Sequence, residues 1–461
     1  MKTKITLLIA MLFVSVNFVS AQSNEEDMAT LSIFVEYAKA KNYDAAYTPW
    51  MELRNRNPKF NNAIYVYGEK ILKHKIKGAA GADKLAFVND LIKLWDQRGE
   101  HFASKTPKGQ YMAKSCQLQY DNRKELGKSK DELYNCFDAA YKADAKTFTN
   151  PKSLYTYFSL MVDLYDEGKK TPQQLFTKYD EITEKVESEV KNYTEKKNKF
   201  TPKEGEEEIQ ISSKDAKKLK SYNSYLTAYD QISGSIDKKM GDRANCEILI
   251  PIYTNDFEEF KNDGVWLQRA MNRMFAKECT DDPLFVKIVE QKNALEPNAT
   301  TAFYIGLLKD KAGQSSEALT YYNQAVELES DKFKKAKILY KIATSFKKKG
   351  SYGQARSYYR KALSNNPSMG RCHLAIAQMY AKSANNCGTD NFSKRAVYWL
   401  AAQEAARAGK VDPTLKKSAA KSVANYNAKA PQKSEIFSSG RAGETIKIGC
   451  WIGSSVKVPT L

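Results

Sequence analysis

Histidine is almost missing from this chain of 461 residues: His74, His101 and His373 are the only three. A Ser-His-Asp or Cys-His site would have to use one of them, and none lies in a nucleophile motif. The seven cysteines contain no Cys-x-x-Cys pair, and with so little histidine beside them no zinc site is expected. A phosphate-cradling loop is missing too, because Gly78-Ala79-Ala80-Gly81 is too short and follows no predicted strand. Carboxylates are plentiful but fall at solvating helix positions, so no acid/base pair stands out. No cofactor and no enzyme activity are expected, and a hydrolase is only a remote alternative.

Long apolar runs are missing beyond the first residues. Lys2 and Lys4 precede an apolar stretch from Ile5 to Val19, and Val19-Ser20-Ala21 supplies the small residues of a signal-peptidase site. The stretch falls short of the ~20 residues a bilayer needs. A leader over 1–21, cleaved after Ala21, and an exported chain with no transmembrane segment are expected. Gln22 rather than cysteine follows the cut, which removes the usual bacterial lipid attachment.

Export favours oxidised thiols. Cys116 and Cys136 fall in consecutive predicted helices, Gln110 to Lys124 and Lys130 to Ala143, joined by a turn at Gly127. Cys246 and Cys279 bound an apolar segment, and Cys387 is left to pair with Cys450 in the tail. This nearest-neighbour scheme is one of 15 connectivities for six cysteines. It leaves Cys372 as an inert thiol on a buried helix face.

Arginine is scarce beside lysine in a chain of formal charge +19, or +17 without Lys2 and Lys4. Arginine is the better base reader, and an exported chain rarely meets nucleic acid, so nucleic acid is not an expected partner. Anionic groups of a cell envelope or acidic protein segments suit the charge better.

What is present is a repeat. Between residues 336 and 367, Leu339, Ile342, Ala343, Phe346, Gly350, Ala355, Tyr359, Ala362 and Pro367 occupy positions 4, 7, 8, 11, 15, 20, 24, 27 and 32. Large residues at 4, 7, 11 and 24 and small ones at 8, 20 and 27 let two helices interlock, Gly350 turns the chain and Pro367 ends the second helix. The segment resembles a tetratricopeptide repeat, a helix-turn-helix unit of about 34 residues that must stack on neighbours to bury its apolar face. A unit from Ala299 has Ile305, Gly306, Gly313, Ala318, Tyr322 and Ala325 at 7, 8, 15, 20, 24 and 27. A third opens at Gly370 with His373 at an interior position. It is interrupted by an insertion holding Asn385, Asn386, Cys387 and Gly388, and resumes through Ala396, Trp399 and Leu400. A fourth, from Asp27, has Ile33, Phe34, Tyr37, Ala46, Trp50, Leu53 and Pro58 at 7, 8, 11, 20, 24, 27 and 32.

Between them the repeats are degenerate. Stripes at Ile182, Val186, Val190 and Tyr193 and from Leu219 to Met240 predict a long helical hairpin, with a mobile, solvated tip across Lys196 to Lys220. The last residues, Ile436-Phe437, Thr445 to Ile448, Val456 and Val458, read as short strands that must pack on the final repeat. The expected fold is all-α: a solenoid of helical hairpins resembling tetratricopeptide repeats, a long charged hairpin in the middle and a small β tail. The expected segments are a leader (1–21), N-terminal repeats (22–180), the charged hairpin (181–245), a helical connector (246–298), C-terminal repeats (299–432) and the tail (433–461).

The resemblance implies that the first helix of each unit lines a concave groove through positions 2, 5, 6, 9, 12 and 13. Groove residues would include Phe303 and Tyr304, then Lys337, Tyr340, Lys341, Lys347 and Lys348, then Arg371, Gln378 and Lys382. Such a groove is aromatic at one end and basic along the rest, suited to a carboxylate-rich peptide. The chaperone-binding carboxylate clamp is not repeated, since its asparagines are replaced by Leu307, Lys341, Thr344 and Ala375. The interrupted third unit, Lys394 to Trp399, Val411 to Pro413 and Gly449 to Ile452 together resemble exported repeat proteins of Gram-negative bacterial envelopes. These resemblances imply a periplasmic or outer-membrane-associated interaction scaffold, held at the outer membrane through a protein partner. A basic binder of envelope polysaccharide or lipid is the alternative.

Overall fold

A computed structural model of the chain describes residues 24–460. It is an all-α, tetratricopeptide-like arrangement of paired helices with one small sheet. The helices are α1 (24–39), α2 Tyr43–Arg56, α3 Ala63–Gly78, α4 Gly81–His101, α5 Lys108–Asp121, α6 Lys130–Ala143, α7 Pro151–Asp166, α8 Pro172–Asn198, α9 Ser213–Met240 and α10 Cys246–Phe260. They continue as α11 Gly264–Ala276, α12 Pro283–Leu295, α13 Ala299–Lys311, α14 Ser315–Leu328, α15 Lys332–Lys348, α16 Tyr352–Asn365, α17 Gly370–Cys387, α18 Asn391–Val411, α19 Lys416–Lys429 and α20 Lys433–Ser439. Strands β1 Thr445–Ile448 and β2 Ser454–Lys457 pair antiparallel, Ile446 opposite Val456. The chain divides into two compact units at Ile182/Thr183.

In the first unit Phe34, Ala46, Trp50 and Leu53 are fully or almost fully buried. Gly68 explains the closeness of α2 and α3: a Cβ there would lie 2.6 Å from the Trp50 ring, whose Nε1 donates to Ile64 O at 2.7 Å. The first repeat is shifted from its expected register. The buried stripe of α1 is Leu31, Phe34 and Ala38, so Ile33 and Tyr37 face outward, 50% and 43% exposed. A capping box at Ser129 starts α6, and Asn150 caps α7, whose apolar stripe is buried along most of its length.

In the second unit the pairs α11/α12, α13/α14, α15/α16 and α17/α18 are successive hairpins. Gly306 plays the role of Gly68, with its missing Cβ 2.7 Å from Tyr322. Gly350 sits at φ 78° in the turn after α15, a conformation glycine takes without strain. The expected insertion in the third unit is mostly extra helix, since α17 runs on to Cys387 before Asp390 caps α18.

The tail packs on α18 through both strands. Trp451 Nε1 donates to Ser383 Oγ at 2.9 Å, and its ring meets Tyr352 and Tyr380 at 5.5 Å. Ile436 and Phe437 are not in a strand: they lie in α20, where Glu435 closes a capping box with Gln432 and Gly440 ends the helix in the left-handed region. Local capping here overrides β propensity.

Candidate functional site

The groove residues do not form one continuous lining. Phe303 and Tyr304 on α13 are 2% and 0% exposed and belong to the core, not to a ligand surface. Phe275 of α11 packs against both, at 5.8 and 5.0 Å between ring centres, and Tyr304 Oη donates to Asn272 Oδ1 at 2.8 Å. The cause is a further hairpin, α11/α12, stacked on α13 where the sequence suggested only a connector. Its signal was present in the apolar stripe Leu267, Ala270, Met271 and Met274, all buried.

Lys341 on α15 is half-buried against the same rings. Its Nζ stands 4.7 Å from the centre of Phe275, 5.3 Å from Phe303 and 5.4 Å from Tyr304. Burial pushes this ammonium down to about 8, and neighbouring Lys337 acts in the same direction.

The chain's own long hairpin covers the start of α15. Glu187 of α8 pairs with Lys337 at 2.7 Å, Lys191 pairs with Asp331, and both Glu184 oxygens accept from Arg269 at 2.8 Å. Tyr193 stacks on Tyr225 of α9 at 4.6 Å. Farther along α8, Asn198 Nδ2 donates to Asn366 Oδ1 at 3.1 Å, and Lys197 donates to the Val411 carbonyl. Arg371, exposed at the start of α17, lies over the Tyr340 ring at 5.6 Å.

The hairpin tip is solvated as expected, but it is tied down. Residues 203–214 are exposed, yet Glu204 lies 2.7 Å from Arg360 and 3.7 Å from Arg407, and Glu208 pairs with Lys410. Behind this contact is a buried carboxylate, against the expectation that carboxylates sit only on helix surfaces. Glu404 is 4% exposed and accepts from His373 Nδ1 at 2.7 Å and Arg360 Nη2 at 2.5 Å. Burial works to raise its carboxyl, but the His373 bond and Arg360 outweigh it and hold it below the usual range. The spacing Leu400, Ala401, Glu404, Ala405, Ala408 on α18, all buried, was the available sign. His373 is the core residue its repeat position implied.

The residues expected at the other end of the groove are more exposed. Lys347 Nζ donates to Gln378 Oε1 at 2.6 Å, while Lys348, Gln378 and Lys382 are exposed. Burial lowers the Lys347 ammonium, and Lys382 adds to that. Among the described residues no carboxylate lies within ion-pair distance of Lys347, Lys348 or Lys382, unlike Lys349, which is paired with Asp310.

Three disulfides join Cys116 to Cys136, Cys246 to Cys279 and Cys387 to Cys450, the nearest-neighbour pairs. Cys372 is free and buried, and burial pushes its thiol up to about 12. Among the described residues no cluster of metal-ligating side chains is assembled, and no helix is long and apolar enough to cross a membrane.

Paired helices with small residues at the crossing points are the packing pattern of tetratricopeptide repeats. Residues 336–369 match the family model described as tetratricopeptide repeat, so the chain carries one such repeat there. It is 30% identical over 111 residues to the photosystem I assembly protein Ycf3 of Cuscuta gronovii, across 22% of this chain and 66% of that one. It is 29% identical over 132 residues to the same-named protein of Prochlorococcus marinus (strain MIT 9312), across 27% and 75%. The chain thus spans less than two thirds of the first of these relatives. Among solved structures, it superposes on a tetratricopeptide repeat protein from Parabacteroides merdae ATCC 43184 with TM-score 0.25 and 10% identity, covering 68% of this chain and 97% of that one. The yeast Tom70 structure gives TM-score 0.25 and 12% identity, covering 90% and 82%. Superpositions this partial say nothing of site or partner.

Proposed function

We propose that this chain is a non-enzymatic interaction scaffold of a bacterial cell envelope, exported and cleaved after Ala21, and that the more exposed end of its C-terminal groove holds an acidic segment of a protein partner. The observation that carries this reading is the cluster of Lys347, Lys348 and Lys382 beside Gln378, cationic and without a carboxylate of its own. Unpaired lysines on one concave face attract a carboxylate-rich segment and supply charge-assisted hydrogen bonds to it. The leader pattern and the three disulfides support export.

The test is a charge-reversed chain, Lys347→Glu with Lys348→Glu and Lys382→Glu, compared with the parent by mild cross-linking and co-purification from envelope fractions. Loss of defined protein partners is expected. Partner recovery at parental level refutes the groove reading, and a parent that recovers only polysaccharide or lipid replaces the protein partner with an anionic envelope polymer. Sequencing the mature N-terminus checks the cut.

A further inference from the structure

The contact between the hairpin tip and α16/α18 has the make-up of a ligand in its site. We propose that Arg360, Arg407 and Lys410 form a second recognition site, for an extended carboxylate-rich peptide, and that residues 204–208 of the chain itself cover it. The site uses none of the groove lysines, so it stands or falls separately from the groove.

On the receiving side, Arg360 is built in. Its guanidinium is largely buried, and Nη2 donates to Glu404, which His373 holds from the other side. That backing fixes the plane of the guanidinium, as a bidentate carboxylate site requires. Nη1 of the same guanidinium has no hydrogen-bond partner although it is buried. Glu204 Oε1 lies 2.7 Å from it, but off the line of its N–H groups, so the contact is an ion pair without a hydrogen bond. A buried donor without an in-line acceptor is costly, and a carboxylate approaching at a better angle satisfies it. Arg407, whose Nη1 also donates to Glu404 Oε1 at 3.3 Å, and Lys410 extend the cationic strip along α18, with side chains 53% and 67% exposed.

The covering side is lightly held. Residues 203–214 are exposed throughout, and the apolar side chains within them, Ile209 and Ile211, are 44% and 40% exposed. The tip's hold is Glu204 on Arg360 and Arg407 and Glu208 on Lys410, while Glu206 accepts from the backbone of Lys203. Exposed ion pairs contribute little and weaken with salt, so an acidic segment of a partner displaces the tip without disturbing the repeats.

The full-length chain can be tested by fluorescence polarisation with a labelled peptide of its own sequence, Thr201 to Ile211, at low and physiological salt. Replacing Glu204, Glu206, Glu207 and Glu208 by Gln in the protein uncovers the strip, and peptide affinity is expected to rise about tenfold, the size of a few exposed ion pairs. Adding Arg407→Gln and Lys410→Gln, both at exposed positions, is expected to remove that gain. The same peptide with Gln for Glu should not bind. Unchanged affinity in the uncovered protein overturns the proposal, as does a gain that survives Arg407→Gln and Lys410→Gln. A gain lost on reversing Lys347, Lys348 and Lys382 instead places the peptide in the groove and also overturns it. Tighter binding of a phosphate polymer than of the peptide overturns the choice of partner.

Discussion

Replacing Lys341 by Met keeps the length of the side chain and removes a charge that the surrounding rings do not fully compensate. An ammonium held at about 8 instead of 10.5 carries roughly 3 kcal/mol of destabilisation at neutral pH, at about 1.4 kcal/mol per tenfold. Its contact with Phe275, Phe303 and Tyr304 returns about 1–2 kcal/mol. Lys341→Met is therefore expected to stabilise the second unit by about 1–2 kcal/mol at pH 7. The pH dependence follows from proton counts. Between the lowered value and 10.5 the unfolded chain binds more protons than the folded one, so parental stability rises with pH across that window. Below about 8 the cost is present in full, and above 10.5 the amine is neutral in both states. The variant's advantage should thus shrink as pH rises from 8 to 10.5. Denaturant unfolding followed by circular dichroism at pH 7, 8, 9 and 10 measures it. A variant less stable than the parent at pH 7 refutes the reasoning, because the rings would then outweigh the burial, and so does an advantage that does not change with pH.

Other perturbations separate the remaining contacts. Glu404→Gln leaves Arg360 and His373 without their carboxylate and is expected to cost about 3–5 kcal/mol at pH 7. Because the carboxyl of Glu404 is lowered, its contribution is present above about pH 4.5 and lost as pH falls further, so the variant's deficit should close in acid. Gly306→Ala drives a methyl into the Tyr322 ring and should cost about 1–3 kcal/mol in thermal unfolding. Cys387→Ser with Cys450→Ser opens a loop of 63 residues and removes at most about 4 kcal/mol; faster trypsin cleavage at Arg441 and Lys447 than in the parent is the readout.

What the sequence made legible has a common physical character. Positions 8 and 24 of a repeat touch within one hairpin, so Gly306 against Tyr322 is written in local spacing. Cys116 to Cys136 and β1 beside β2 are local in the same way. The errors arise where a distant element decides. Phe303 and Tyr304 fall at groove positions by number, but α11 brings Phe275 onto them. Glu187 meets Lys337 across 150 residues and Glu208 meets Lys410 across 202; surface charges at such separations carry no periodicity. Ile436 and Phe437 differ for the opposite reason, since the local capping box at Gln432 and the stop at Gly440 outweigh their β propensity.

The placement of the acidic residues accounts for where positive charge is left over. Glu184, Glu187, Glu204 and Glu208 each meet a cation of the repeats, and Asp331 meets Lys191. None of these carboxylates lies within pairing distance of Lys347, Lys348 or Lys382. A chain of net charge +19 spread evenly over its helices would repel itself everywhere and attract acidic partners nowhere in particular. By pairing with Lys337 on α15 and with the strip on α16 and α18, the hairpin leaves Lys347, Lys348 and Lys382 without a carboxylate, while Lys341 and Arg371 between them meet aromatic rings. On the proposed groove function, selectivity for one end comes from the charges the chain has already satisfied, so neutralising Glu184 and Glu187 is expected to spread partner cross-links from Lys347 toward Lys337. Cross-links that stay confined to the Lys347 end would show that the shape of the groove, and not its charge balance, directs the partner there.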